Sequence, residues 1–213
     1  MKKYAFRLCS KPDVHNYSEC NSCQKKAIII CFYINFIMFV AQTIYGFLSN
    51  SASLLGEGAH NVGDAFVLAT TVYLLASSQV VKARLALLKA LLMFSFGLLP
   101  LFQVYETIMT QTVPAHLPIT LLGVFALFGN IASTLLLLSY RDKDVNLKSA
   151  YICVRNDALG DLLVITAGLV VMFTGSYWPD VIAGLIITVV IIFSSIQIAL
   201  ESLGIINGKN KSY

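Results

Sequence analysis

The chain has 213 residues, of which 57% are apolar and 12% charged, and its mean hydropathy is +0.76. A water-soluble domain of this length cannot hide so much apolar surface, so an integral membrane protein is expected. The net charge of +4 does not point to nucleic acid, because the basic residues sit where membrane topology requires them.

Residues 1–26 are polar and hold Cys9, His15, Cys20 and Cys23. They lack the apolar core that a signal peptide needs, so the first helix is expected to be retained and the tail to be cytosolic. Cys20 and Cys23 form a C-x-x-C pair, which with Cys9 and His15 makes a candidate tetrahedral zinc set. A tail of reduced thiols that bind nothing accounts for the same residues. A structural disulfide is not expected in a reducing compartment.

Six apolar stretches follow, at about 27–48, 53–81, 85–110, 117–140, 149–174 and 181–200. Each is near or above the ~20 residues that cross a bilayer as a helix. The expected fold is therefore all-α, with a six-helix transmembrane domain over 27–202 and a short cytosolic tail over 203–213. All fifteen Lys and Arg residues fall in the tails or around the second-to-third and fourth-to-fifth connections, with Lys82, Arg84 and Lys89 in the former. The connections at Asn50, 111–118 and 175–180 hold none, so both termini are expected in the cytoplasm.

The polar residues inside these stretches set the chemistry. In helix one, Asn35 and Gln42 suit interhelical hydrogen bonds. Helix two carries Glu57, His60 and Asp64 on one face, at i, i+3 and i+7. At 1.5 Å per residue His60 lies ~13 Å and Asp64 ~20 Å down the helix, at the depth of the bilayer core. Glu106 of helix three is near the far interface, where solvation competes with a transport role, and His116 belongs to an exposed loop. Helix four offers Gly123, Gly129 and Asn130, which suit close helix approach.

Helix five repeats the pattern with Cys153, Asp157 and Asp161 at four-residue spacing. Cys153 reads as packing before ion entry. Arg155 suits charge neutralisation or interface anchoring equally. Helix six has no ionisable residue between Asp180 and Glu201 and reads as scaffold.

The runs His60-Asn-Val-Gly63-Asp64 and Asp157-Ala-Leu-Gly160-Asp161 match in form on helices that cross in opposite directions. They suit the middle helices of an inverted 3+3 repeat with a midplane ion site. Antiparallel docking is expected to bring His60 level with Asp161 and Asp64 level with Asp157, with Gly63 and Gly160 letting the helices approach. One imidazole and three carboxylates suit a divalent first-row ion, zinc above all. Nothing on either stripe cancels their negative charge, so they bind a cation or take up protons. Competition between the two for one ligand set is the basis of proton–metal antiport.

The stretch SNSASLLGEGAHNVGDA resembles the second-helix signature of the cation diffusion facilitator family. RNDALGDLLVITAGLVVMFTGSYWPDVIAGLI resembles its fifth and sixth helices, and the similarity extends over residues 27–202. The resemblance implies a homodimeric transporter that exports zinc or a related ion (cadmium, cobalt, iron, manganese) in exchange for protons. His60, Asp64, Asp157 and Asp161 match the family's intramembrane quartet. The family usually has histidine at the position of Asp157, so helix five is all-oxygen here and admits harder ions. The chain is expected to be of the family's short branch, which lacks the C-terminal metal-sensing domain, and dimerisation is then expected to rest on the membrane helices. A bacterial inner membrane is the expected location.

Two other classes fit parts of the pattern. A non-transporting membrane metal sensor would depend on the N-terminal cysteines and not on the quartet. An intramembrane aspartyl hydrolase would place glycine three residues before one aspartate, where this chain has Asn61 and Ala158, and no H-E-x-x-H run occurs. An enzyme is therefore not expected, nor is an organic cofactor.

Overall fold

The computed structural model describes residues 17–74, 78–138 and 145–207. These form seven α-helices and no strand: α1 (Tyr17–Leu48), α2 (Ala52–Leu74), α3 (Gln79–Gly97), α4 (Leu99–Thr110), α5 (His116–Leu138), α6 (Val145–Thr174) and α7 (Trp178–Ile206). The third predicted helix is thus two segments in sequence. Pro100 in the first turn of α4 has no N–H to donate and its ring crowds the carbonyl four residues back, so the ladder breaks at Leu98.

Among the described residues, five spans are long and apolar enough to cross a membrane, α3 and α4 together counting as one. α2 has the length, at 23 residues, but interrupts its apolar run with Glu57, His60 and Asp64. The outer surface is apolar, with Phe173 79% and Phe193 69% exposed, whereas Asn35, Gln42, Asn61 and Gln103 are buried. That inversion of a soluble protein's surface is what a lipid solvent selects. The chain is a multi-pass membrane protein.

α2 is the hub and packs against each of the other six helices. Its glycines explain how: a Cβ at Gly56 would meet Ile187 of α7, one at Gly58 would meet Thr43 of α1, and one at Gly63 would meet Met93 of α3. Side chains reinforce the backbone contacts. Asn61 Nδ2 donates to Gln42 Oε1 at 2.6 Å, the interhelical bond expected of Gln42, while Asn35 Nδ2 instead donates within α1 to the Cys31 carbonyl.

The three connections without basic residues meet at one end. Ala115 N donates to Ser49 O at 3.0 Å. Asp180, in the first turn of α7, accepts from Ser51 Oγ and Ala52 N, each at 2.7 Å, from Ser53 N at 3.3 Å, and from Ser53 Oγ. The carboxylate supplies from α7 the N-cap that the first turn of α2 needs, at the positive end of its dipole. This anchors α2, and the residues along it, to the far side of the bundle.

Candidate metal centre

α6 runs antiparallel to α2, with Gly160 against Glu57 and Asp157 beside His60. His60 Nε2 lies 2.7 Å from Asp157 Oδ1 and 3.8 Å from Asp64 Oδ2. His60, Asp64 and Asp157 each offer one ligand atom, and these lie within 4.8 Å of one another. Tetrahedral zinc with bonds of about 2.0–2.2 Å separates its ligand atoms by roughly 3.4 Å, so to hold an ion the His60–Asp157 pair opens by about 0.7 Å and Asp64 draws in from 3.8 Å.

The carboxylates are incompletely partnered. Asp64 Oδ2, Asp157 Oδ2 and Asp161 Oδ1 are buried and accept no hydrogen bond. Buried carboxylate oxygens left this way call for a cation or a proton. His60 and Asp157, with Glu57, also line a cavity of about 320 Å³ whose remaining wall is Gly160 and apolar side chains of α6 and α7, among them Leu163, Ile187 and Ile191. Glu57 is 3% exposed and faces this cavity one turn from His60.

The helices dock about one turn away from the expected register. His60 meets Asp157, not Asp161, because Gly160 lets the Glu57 side chain in and fixes the offset there. Asp161 is fully buried and accepts from Asn130 Nδ2 of α5 at 2.8 Å. It is not within the three-residue group. Asn130, expected to serve close helix approach, is therefore the polar partner of an intramembrane acid. Gly63 faces Met93 and Lys89 of α3, so it admits α3 and not α6.

Lys89 departs most from the charge pattern that placed it among the cytosolic anchors. It is 8% exposed, and its Nζ lies 3.3 Å from Asp64 Oδ1. The site is thus not an uncompensated set of acids. Glu106 and His116 are exposed, and neither reaches the centre. Cys9 and His15, and the side chains of Cys20, Cys23, Cys153 and Arg155, lie outside the described residues.

The model of the cation efflux transmembrane domain matches residues 28–206. The chain belongs to the cation efflux family.

Among curated relatives of this cation efflux chain, a "Cadmium, cobalt and zinc/H(+)-K(+) antiporter" of Bacillus velezensis is 25% identical over 206 residues, 90% of this chain and 66% of the relative. The "Metal cation efflux system protein CzcD" of Cupriavidus metallidurans is 25% identical, covering 83% of this chain and 62% of the relative. The "Zinc transporter ZitB" of Pectobacterium atrosepticum is 26% identical, covering 89% and 63%. The chain therefore spans a little under two thirds of the length of these relatives.

Proposed function

We propose that the chain exports divalent metal ions from the cytoplasm in exchange for protons, with His60, Asp64, Asp157 and Asp161 as transport ligands. Zinc is the foremost substrate, with cadmium, cobalt, iron and manganese as other candidates. The observation that carries this reading is the convergence of His60, Asp64 and Asp157 to within 4.8 Å on helices buried in an apolar bundle. Asp64 and Asp157, with Asp161 also buried nearby, are costly in such a bundle unless they bind something.

An incoming ion replaces the His60–Asp157 hydrogen bond, taking the imidazole nitrogen and the unpartnered carboxylate oxygens as ligands. Asp161 completes four-coordination through Oδ1, its other oxygen being held by Asn130. Protons arriving from the opposite side compete for the same lone pairs and release the ion. The names of the relatives favour this class of cargo. The charge-poor connections gathered at one end support termini on the cytoplasmic side, in a homodimer within the cell membrane of a bacterium.

The test is metal-driven proton flux in proteoliposomes with a pH dye inside, comparing wild type with Asp64→Ala and Asp157→Ala across a panel of divalent ions. Flux that needs both aspartates is the expected result. No flux with any ion, in folded and inserted protein, overturns the reading.

A further inference from the structure

Among the described residues, Lys89 is a buried cation to which the transport reading gives no task. It sits in the middle of α3, buried, whereas Arg84 on the same helix is exposed. A lysine in an apolar helix ordinarily extends its head toward the interface. Here it does the opposite, and its ammonium reaches Asp64 Oδ1 at 3.3 Å.

The path it takes is built into the helix contact. A Cβ on Gly63 would lie 3.3 Å from Lys89 Cε and 2.5 Å from Met93 Cγ. The missing side chain at 63, one position before Asp64, leaves room for the lysine stem and Met93 to lie against α2. The two oxygens of Asp64 are thereby divided: Oδ1 faces Lys89, and Oδ2 faces His60 with no hydrogen bond.

We propose that Lys89 sets the metal affinity of the site, acting as a tethered cation that competes with the divalent ion for Asp64. This rests on the transport reading and adds a determinant to it. With Lys89 in place, one positive charge offsets part of the negative charge that Asp64, Asp157, Asp161 and the nearby Glu57 can carry. Without it the site holds the ion more tightly, because each added positive charge near a ligand set weakens its hold on a metal. A transporter must also let its cargo go, so a weaker site releases faster.

The experiment is equilibrium binding of Zn²⁺ to the detergent-solubilised full chain at one fixed pH, with zinc flux in proteoliposomes alongside. Lys89→Met is expected to bind at least about tenfold more tightly than wild type, the low end for removing one of two close charges. In flux it lowers KM and kcat together. A purely structural role does not produce that combination. Lys89→Gln, which can still donate to Asp64 but carries no charge, shifts in the same direction and serves if the Met variant does not fold. Lys89→Arg falls nearer to wild type than either. Zinc binding by wild type with equal or weaker binding by both neutral variants overturns this inference and leaves the transport reading standing. Absence of binding and flux with any divalent ion in wild type removes both.

Discussion

His60 Nε2 and Asp157 Oδ1, 2.7 Å apart, join α2 to α6 at the level where both helices are buried. The bond uses two proposed ligand atoms on each other, so binding an ion means breaking it. Asp157→Ala is expected to lower zinc flux by about 100-fold or more, since losing a ligand costs at least as much as losing a group that only orients one. Asp157→His would instead supply a second imidazole and is expected to raise zinc flux relative to manganese severalfold, because manganese prefers oxygen. Competition flux assays with both ions check the pair. A Asp157→His variant that favours manganese more than wild type does would count against the site.

Gly160 is where α6 meets the Glu57 carboxylate, and a Cβ there would overlap Glu57 Oε1. Gly160→Ala is expected to insert normally and weaken zinc binding, because the added methyl displaces the Glu57 carboxylate and pushes on the α2–α6 contact that sets Asp157 beside His60. Pairing it with Glu57→Ala, which removes the obstructing side chain, is expected to restore part of the binding. Failure of the double variant to recover would place the effect of Gly160 elsewhere.

Asn130 holds Asp161 from α5 through a 2.8 Å bond. Truncating it leaves a buried carboxylate oxygen without its donor, a loss of about 1–3 kcal/mol. Asn130→Ala should lower the unfolding temperature of the metal-free protein in detergent and weaken zinc binding as well, because Asp161 is no longer oriented. Unchanged zinc affinity in this variant would argue against Asp161 as a ligand.

Asp180 caps α2 from the start of α7, far along the helix from His60. Asp180→Ala removes the acceptor for two backbone N–H groups and two serine hydroxyls. A cap of this kind contributes about 1–2 kcal/mol, and here the released donors are buried, so a loss of about 2 kcal/mol or more is expected. Thermal unfolding in detergent measures it. Flux per folded molecule should fall less than in the Asp157 variants, which separates the cap from the ligands.

Much of this was legible from local pattern. Apolar runs of bilayer length, interrupted by acids spaced four residues apart, marked the helices and made His60, Asp64, Asp157 and Asp161 candidates, because helix periodicity follows from a 3.6-residue turn that sequence alone sets. Of these, the fold brings His60, Asp64 and Asp157 together. Which residues of α2 face which residues of α6 did not follow, since the offset between two helices depends on side-chain volumes at their contact. Glu57 seated against Gly160 shifts the register by about a turn and gives His60 to Asp157.

The reach of Lys89 was hidden for a related reason. A charge count assigns lysines to the cytosolic interface, and the pattern of basic residues is a statement about which side of the membrane, not about depth. Whether the ammonium snorkels outward or turns inward depends on a groove, here the one opened by Gly63 between α2 and α3. Asn130 likewise looked like packing until α5 was seen against α6. The sequence by itself determined that carboxylates and one imidazole interrupt long apolar helices; their pairing, and the lysine set among them, came from how the helices dock, because contacts between distant segments are fixed by shape and not by periodicity.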